Sequence, residues 1–368
     1  MMNWNQLISA KRFGMEEFHE ERQENRSEFQ RDYDRLIFSA PFRRLQNKTQ
    51  VFPLPGSVFV HNRLTHSLEV ASVGRSLGDD VAKALLERHP ELQDSFLPEI
   101  GSIVSAACLA HDLGNPPFGH SGEKAISTFF SEGKGVRLKE KQPNGEQLSP
   151  MEWEDLIHFE GNANAFRILT HQFEGRRKGG FVLTYTTLAS IVKYPFSSSL
   201  AGTKSKFGFF VSEEESFRKI ATELGLILLN EHPLKYARHP LVYLVEAADD
   251  ICYQMMDIED AYKLKILTTE ETKELLMAYF SEERQEHLRK TFLIVNDVNE
   301  QIAYLRSSVI GLLIRECTRV FLDHEQEILS GTFEGSLIKR IAERPAAAYK
   351  HSVEVSINKI YRSRDVLD

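Results

Sequence analysis

Long apolar runs are missing from this 368-residue sequence. The longest, such as Ile103–Ala110 and Leu241–Val245, fall well short of the ~18 to 20 residues that a transmembrane helix needs. A secretion signal is missing too, because Met1–Gln6 leads into a charge-rich stretch from Lys11 to Arg35. We therefore predict a cytoplasmic protein with no membrane partner.

Cysteine is scarce, and its placement excludes two common roles. Cys108, Cys252 and Cys317 are far apart in apolar stretches, with no pair spaced for a zinc site or a disulfide framework. They are predicted to be buried thiols in a reducing compartment.

An excess of basic residues is also missing, since the formal net charge is −8. This balance disfavours broad binding to nucleic acid, although a local basic groove for a single strand stays open. A polyanionic substrate would have to meet locally placed arginine, lysine or metal.

Strand-like alternation is rare and helical periodicity dominates, which predicts an all-α fold. The length suits one large helical domain or two ordinary ones. Helices are predicted over Glu16–Arg35, Leu64–His89, Ile100–Leu113, Gly122–Phe130, Asn162–His171, Leu241–Leu264 and Val298–Leu322.

Three stretches of turn-forming residues interrupt the helical pattern. They are Ser131–Pro150, Glu174–Gly180 and Ser197–Gly208. The last two flank Phe181–Pro195, which we interpret as a hairpin-like or lid segment.

The strongest local motif is an apolar helix that ends at a His-Asp pair. Gly114 and Pro116 stop the helix just after His111 and Asp112, which places both side chains beside a turn. An imidazole nitrogen and a carboxylate oxygen suit a catalytic divalent ion such as Mn²⁺, Mg²⁺, Fe²⁺ or Zn²⁺. Two ligands alone hold a metal poorly, and the pair also fits an ordinary helix end with a dipole-stabilised histidine.

Arg63 and His66 are three residues apart and share a helix face. A metal ligand and a phosphate-binding arginine could therefore stand together. Alone, the segment also fits an ordinary amphipathic helix.

The apolar helix Pro240–Ala261 carries a single polar stripe. Its members, at spacings of three, four and four, are Glu246, Asp249, Tyr253 and Asp257. Most of the circumference is apolar, so the stripe should be buried, and unpaired buried carboxylates are costly. We therefore expect a metal, an arginine or a ligand to face it, the alternative being a solvated face at a domain boundary.

In chain order, His66, His111-Asp112 and Asp249 match the metal-ligand pattern of the HD superfamily of phosphohydrolases. More specifically, the chain resembles the dGTP triphosphohydrolases over about residues 30 to 260. The matching segments are Phe42–Pro53, Arg63–Val70, His111–Glu123, Phe159–Ala163, Val192–Pro195 and Asp249–Tyr253.

The resemblance implies an HD-domain helical fold with additional helices. It suggests one large domain over residues 1–368, with the metal-site core at about 30–260 and a helical C-terminal region at about 261–368. Family members commonly continue beyond the end of this sequence, and some place a substrate-contacting arginine there. A shortened chain with an incomplete site is therefore left open.

The resemblance also implies a metal site and a proton-transfer pair. One divalent ion, Mn²⁺ or Mg²⁺ before Fe²⁺, Zn²⁺ or Ni²⁺, would be bound by His66, His111, Asp112 and Asp249. His120 would act as general acid or base, with Glu123 orienting its imidazole from three residues further on.

Substrate contacts follow from the same match. Arg63 and Lys193 would neutralise the triphosphate, Arg63 through bidentate contact. Tyr194 would accompany Lys193 at the phosphates.

Three further residues would contact the nucleoside part of the substrate. Gln50 would lie near the ribose 3′-hydroxyl, Tyr253 would stack on the sugar or base, and Asp257 would meet the sugar or base edge. Without the family match, packing or surface roles would be preferred for these three and for Tyr194.

The implied reaction is hydrolysis of dGTP, or of other dNTPs, to deoxynucleoside and inorganic tripolyphosphate, by attack at the α-phosphorus. Two alternatives stay open: a phosphohydrolase for another nucleotide, and a non-catalytic nucleotide sensor or single-strand nucleic-acid binder. Intact His120 and Glu123 favour catalysis, because a pure binder does not need an acid–base pair. A homo-oligomer, often a hexamer, is also implied.

Overall fold

The computed structural model describes residues 1–17, 26–52, 60–140, 145–176, 178–202 and 205–362. These residues are mainly helical, with one two-stranded sheet among them. The predicted all-α class is confirmed.

Helices follow one another along the whole described chain. The first half contains α1 (Trp4–Leu7), α2 (Glu28–Ile37), α3 (Ala40–Arg44), α4 (Arg63–Arg88), α5 (Ile100–Ala110), α6 (Gly119–Ser131), α7 (Pro150–Ile157), α8 (Gly161–Thr170) and α9 (Tyr185–Ile191). The second half contains α10 (Glu214–Glu223), α11 (Val242–Lys263), α12 (Thr269–Met277), α13 (Glu282–Thr291), α14 (Val298–Asp323), α15 (Glu325–Ser330) and α16 (Glu343–Val355), the last continued by a π-helix at Ser356–Ile360. Between α10 and α11, strands β1 (Leu228–Asn230) and β2 (Lys235–Tyr236) pair antiparallel.

The centre of the fold is the pair α4 and α5, with α2, α9, α11 and α14 packed around it. Small residues allow the two central helices to approach closely. A Cβ at Gly78 would lie 2.7 Å from the Cα of Gly101, and a Cβ at Gly74 would lie 2.5 Å from the Sγ of Cys108. Helix α5 is buried along almost its whole length, so its C-terminal end carries His111 into the interior.

Most of the long predicted helices are confirmed with shifted ends, and one other prediction is wrong. Phe181–Pro195 is not a hairpin or a lid, because it contains α9, every residue of which is buried. The polar side chains of this helix find partners inside the protein: Thr186 Oγ1 donates to the Leu7 carbonyl oxygen and Ser190 Oγ donates to that of Thr186.

The helix predicted over Glu16–Arg35 starts later than expected. Glu16 lies in a turn and accepts the Tyr185 hydroxyl at 2.7 Å, and residues 18–25 are outside the described part. Helix α2 begins after Ser27, whose side chain accepts the Gln30 N–H at 3.2 Å and so caps the helix.

The three cysteines are free and buried, as predicted. In the part of the chain that the structure describes, no helix is both long and apolar enough to span a membrane.

Stability is expected to depend on pH through the buried His239. Its Nε2–H donates to the Leu7 carbonyl oxygen at 3.0 Å and its Nδ1 accepts the Leu241 N–H at 3.2 Å, so the neutral ring satisfies both nitrogens. Burial lowers the pKa of His239 from 6.5 to about 4. Between about pH 6.5 and pH 4, His239 is therefore protonated in the unfolded chain but neutral in the folded chain. The free energy of unfolding falls as the pH drops through this range. When the pH is lowered from about 7 to 5, the protonation of His239 in the unfolded chain should lower the free energy of unfolding by about 2 kcal/mol. Urea titrations at the two pH values measure this change.

The His239→Gln variant has no group that titrates at this position, so its stability should fall less steeply with acid. His351→Gln is the matched control, because this histidine is exposed on α16. Equal slopes for His239→Gln and wild type would contradict the assignment.

Candidate active site

A cavity of about 520 Å³ opens beside the C-terminal end of α5. Residues of α4, α6, α8, α9, α11 and α16 contribute to its wall. Most of the residues predicted for the site meet in this cavity.

The start of α4 aims two of these residues into the cavity. The Asn62 side chain accepts the N–H groups of Leu64 and Thr65 at 3.0 Å, and Thr65 Oγ1 accepts the Asn62 N–H, which forms a capping box. The cap determines the first turn, so Arg63 and His66 share the face that lines the cavity.

The turn after α5 is held by polar contacts. Lys48 Nζ donates to the carbonyl oxygens of Leu113 at 3.3 Å and Asn115 at 2.6 Å. The carboxylate of Asp112 accepts Asn115 Nδ2–H at 2.5 Å on one oxygen and Arg63 Nη1–H at 2.7 Å on the other. Asp112 is therefore held in one orientation at the cavity wall.

The four predicted metal ligands come together. The ligand atoms of His66, His111 and Asp112 lie within 4.8 Å of one another. Asp249 Oδ1 from α11 is 3.0 Å from His66 Nε2 and 3.5 Å from His111 Nε2. Four side chains from three separate segments thus converge on one point.

The donor set fits a divalent cation. His111 Nδ1–H donates to the Cys108 carbonyl oxygen at 2.6 Å, so Nε2 is the nitrogen that faces the cluster. That Nε2 is buried, and no described residue forms a hydrogen bond with it. A backbone acceptor on the outer nitrogen and an unpartnered inner nitrogen are typical of a metal-binding histidine.

The electrostatics of the cluster favour a positive charge. Burial works against a charged His111, but Asp112 and Asp249 raise the pKa of this imidazole to about 9. Burial likewise works against ionised Asp249, but His111 and His66 hold the pKa of this carboxyl well below its usual range. The carboxylates therefore stabilise a cation at this point, and binding of a metal would displace the proton from His111.

The predicted proton-transfer pair is also formed. Phe118, which has a left-handed φ of 65°, precedes α6 and places His120 in its first turn. His120 Nδ1–H donates to Glu123 Oε2 at 2.7 Å, while the imidazole is 85% exposed beside the cavity. Burial opposes ionisation of Glu123, but the bond from His120, the charge of Lys206 and the Gly161 N–H lower the pKa of this carboxyl.

Gly161 should be needed for this arrangement. Its N–H donates to Glu123 Oε1 at 2.8 Å. A Cβ at this position would lie 2.0 Å from Asn115 Oδ1 and 3.0 Å from Glu123 Oε1. We expect Gly161→Ala to lower kcat about 10-fold, because it displaces the carboxylate that orients His120.

Steady-state kinetics and a thermal melt measure this effect. Gly311→Ala is the control, because among the described residues a Cβ there would meet only the Arg315 side chain, at 3.5 Å. It should keep kcat and gain up to about 1 kcal/mol of helix stability. A wild-type kcat for Gly161→Ala would contradict the role of this contact.

The predicted phosphate-binding residues line one wall. Lys193 Nζ lies 3.1 Å from Glu246 Oε1 and 5.8 Å from the centre of the Tyr194 ring. Burial works against the charged ammonium, but Glu246 raises the pKa of Lys193 above its usual value. Glu246 also accepts Arg238 Nη1–H at 3.1 Å, so this buried carboxylate of the α11 stripe has two cationic partners.

The residues predicted to contact the nucleoside divide into two groups. Gln50 and Tyr253 line the cavity, and Gln50 Oε1 is buried with no hydrogen-bond partner in the described part of the chain. Asp257 is not among the lining residues: it is buried one turn beyond Tyr253 and accepts the Tyr361 hydroxyl. The structure does not bring Asp257 to the cavity surface, and its substrate contact stays a prediction.

Several lining residues carried no predicted role. They include Asn115, Glu160, Asn162, Lys206, Asp250 and Tyr349. Glu160 and Asn162 belong to the matching segment Phe159–Ala163, so a signal was present for them. Lys206 lies in a stretch that showed only turn-forming residues.

Comparisons with known proteins agree with this geometry. A family model described as HD domain matches residues 63–162, which contain three of the four predicted metal ligands and the His120–Glu123 pair. A deoxyguanosinetriphosphate triphosphohydrolase-like protein of Synechocystis sp. is 41% identical over 347 residues, covering 92% of this chain and 76% of the relative. One of Pseudomonas aeruginosa is 40% identical over 372 residues, covering 99% and 80%. A deoxyguanosinetriphosphate triphosphohydrolase of Yersinia enterocolitica is 32% identical over 386 residues, covering 92% and 73%.

Proposed function

Because the chain belongs to the deoxyguanosinetriphosphate triphosphohydrolase-like family of HD-domain phosphohydrolases, we propose that it hydrolyses deoxynucleoside triphosphates, with dGTP as the preferred substrate. The products are deoxynucleoside and inorganic tripolyphosphate. One observation carries the proposal: the exposed imidazole of His120 shares a cavity with the cluster of His66, His111, Asp112 and Asp249.

The metal-ligand cluster supplies the reason for a phosphate substrate. A divalent cation bound there, with Mn²⁺ or Mg²⁺ as the first candidates, would act as a Lewis acid on the α-phosphate. Arg63 holds Asp112 by its Nη1 and lines the same cavity, so its remaining N–H groups can contact a phosphate oxygen.

His120 is the residue that moves a proton in the proposed reaction. Water attacks the α-phosphorus and the 5′-oxygen leaves, so one proton must leave the water and one must reach the leaving group. With Nδ1–H bound to Glu123, Nε2 of His120 is free for this exchange. Glu123 keeps the ring in one tautomer and one orientation.

Lys193 and Tyr194 support binding of the remaining phosphates. Lys193 is held at the cavity wall by Glu246, which keeps the ammonium charged without using all three of its N–H groups. The incoming polyphosphate would share this ammonium with Glu246.

Gln50 supports recognition of the sugar. Its Oε1 is buried without a partner among the described residues and can accept a hydroxyl hydrogen. A site built around one sugar hydroxyl discriminates by leaving polar groups unpaired when a sugar without that hydroxyl binds. Tyr253 offers an aromatic face at the same cavity. A nucleotide without the 3′-hydroxyl would leave Gln50 Oε1 unpaired, so we expect it to be hydrolysed slowly.

A product assay tests the proposed function. The purified protein is incubated with each dNTP and with GTP, in Mn²⁺ or Mg²⁺, and the products are separated by ion-exchange chromatography. Release of tripolyphosphate with deoxyguanosine supports the proposal, and release of monophosphate or pyrophosphate would assign a different phosphohydrolase. Intact nucleotide under every condition, with binding retained, would assign a nucleotide sensor. Oligomeric state and single-strand binding stay predictions.

A further inference from the structure

His61, just before α4, has a carboxylate oxygen at each of its two ring nitrogens. Its Nδ1 lies 2.8 Å from Asp260 Oδ1 on α11, and its Nε2 lies 3.2 Å from Glu69 Oε1 on α4. The backbone N–H of His61 also donates to Asp260, to Oδ2 at 2.8 Å. The side chains of His61 and Asp260 are only 9% and 5% exposed. His61 therefore joins the start of α4 to α11 at a largely buried position.

These contacts determine the charge of His61. An ionised carboxylate can only accept hydrogen bonds, and a neutral imidazole has a single N–H. Both bonds therefore form only when both ring nitrogens carry a proton, which makes His61 an imidazolium cation. Burial works against the charged ring, but Asp260 and Glu69 raise the pKa of His61 to about 9. The ring is therefore a cation at neutral pH.

Three carboxylates gather around this cation. Asp257 and Asp260 belong to α11 and Glu69 belongs to α4, and Arg306 of α14 lies near Glu69 as a further positive charge. Carboxylates that are close together and partly buried repel each other, and a cation among them offsets this repulsion. His61 thus stabilises the approach of α11 to α4 at this place.

His61 and the metal-ligand cluster connect α4 and α11 at two levels. Asp249, Tyr253 and Asp260 lie on one face of α11, at spacings of four and seven residues. Asp249 contacts His66 at the first level, and Asp260 contacts His61 at the second. Tyr253, which lines the cavity, stands between the two, with its ring centre 6.4 Å from that of His66. This aromatic wall is therefore fixed against α4 from both sides.

The same contacts fix the first turn of α4. Asn62, the next residue, caps this helix, and the N–H of Arg63 donates to the Lys48 carbonyl oxygen at 3.0 Å. The side chain of Arg63 lines the cavity and donates to Asp112. Because His61 precedes Arg63 by two residues, a displacement of His61 also displaces the arginine that would contact phosphate.

We propose that His61 is a positioning residue for substrate binding: as an imidazolium it holds the start of α4 against α11, and so keeps Arg63 and Tyr253 at the spacing that a nucleotide needs. The inference rests on the proposed function of the cavity. It gives His61 no contact with the substrate or the metal, since His61 is not among the residues that line the cavity in the described part of the chain. Loss of its charge should weaken substrate binding and leave the chemical step intact.

Two variants and a control test the proposal. His61→Gln removes the charge. Glu69→Gln removes one of the two carboxylates, at a side chain that is 48% exposed, while its amide oxygen can still accept from the ring. His351→Gln is the matched control, because this histidine is exposed on α16. Steady-state kinetics with a dNTP and Mg²⁺, and urea unfolding, are both measured from about pH 6 to pH 10.

The kinetic readout distinguishes positioning from a general loss of structure, which lowers kcat and leaves KM unchanged. At about pH 7, His61→Gln should raise KM about 10-fold with kcat nearly unchanged. The KM of the wild type should rise as the pH passes about 9, and this rise should be missing in His61→Gln. Glu69→Gln should move the rise to lower pH, by about one pH unit. An unchanged KM in His61→Gln at about pH 7, or the same alkaline rise in that variant and the wild type, would overturn the proposal.

The unfolding readout does not depend on turnover. The folded wild type keeps the His61 proton up to about pH 9, whereas the unfolded chain loses it near pH 6.5. The stabilisation from this charge is therefore complete below about pH 6.5 and is lost as the pH rises through about 9. The urea midpoint of the wild type should exceed that of His61→Gln most at about pH 6, and the difference should shrink towards pH 10. A difference that does not change with pH would contradict the charged state of His61 and overturn the proposal.

Titration calorimetry separates this proposal from the proposed function. If the wild type hydrolyses no nucleotide, the proposed function fails, and the affinity for a dNTP takes the place of KM. A weaker affinity in His61→Gln, with wild-type affinity in His351→Gln, would then support the positioning role. Equal affinities in His61→Gln and wild type, or no binding to either protein, would overturn it.

Discussion

Replacing Asp249 by asparagine is expected to lower kcat/KM for dNTP hydrolysis by about 10³-fold and to abolish stoichiometric binding of Mn²⁺. Asp249 Oδ1 lies 3.0 Å from His66 Nε2 and 3.5 Å from His111 Nε2, so this carboxylate, which comes from α11, completes the set of four predicted ligands. The neutral amide removes the charge that favours a cation between the two imidazoles. Loss of a Lewis acid costs several kcal/mol of transition-state stabilisation, and each 1.4 kcal/mol is about a factor of ten in rate.

Isothermal titration with Mn²⁺ and steady-state kinetics measure the two effects separately. Asp80→Asn is the matched control, because Asp80 is exposed on α4 and remote in sequence from the four predicted ligands. It should bind Mn²⁺ and turn over substrate like the wild type. If Asp249→Asn kept full Mn²⁺ affinity, this residue would not be a ligand.

Replacing His120 by glutamine should lower kcat by about 10² to 10⁴-fold while Mn²⁺ binding and folding are retained. The imidazole is 85% exposed, so its removal leaves no cavity and breaks one hydrogen bond, that to Glu123. A loss confined to kcat therefore reports proton transfer and not damage to the fold. Kinetics, Mn²⁺ titration and a thermal melt on the same sample test all three statements.

A double variant gives this prediction a stricter form. Because Glu123 acts through His120, adding Glu123→Gln to His120→Gln should cost little beyond the His120 change alone. His351→Gln, at an exposed position on α16, should keep wild-type kcat. Additive losses from His120 and Glu123 would mean that the two residues act independently.

Much of the fold could be predicted from spacing alone. The apolar periodicity of the segments that became α4, α5, α11 and α14 predicts helices whose apolar faces must be covered, and a helical bundle follows. Phe181–Pro195 shows where this approach fails. It has flanking glycines and several hydroxyl side chains, yet it contains the buried helix α9, because Thr184 caps that helix and Thr186 and Ser190 donate to backbone oxygens.

The pairs of side chains within one helix turn could be predicted from spacing in the same way. Arg63 with His66 and His120 with Glu123 stand three residues apart, and the geometry of an α-helix places such side chains on one face whatever surrounds them. The family resemblance joined these pairs to Asp249 across more than a hundred residues, which no periodicity could do.

Local chain geometry accounts for which side chains share a helix face, because backbone hydrogen bonds impose the same 3.6-residue repeat on every α-helix. Packing between distant segments determines which charged and polar side chains lie next to each other. Asp257 continues the polar stripe of α11 but accepts the hydroxyl of Tyr361, and Lys206, from a loop without any motif, lies between Glu160 and Glu123. Such partners depend on the relative placement of whole helices, and a buried charge takes whichever partner that placement brings within a few ångströms.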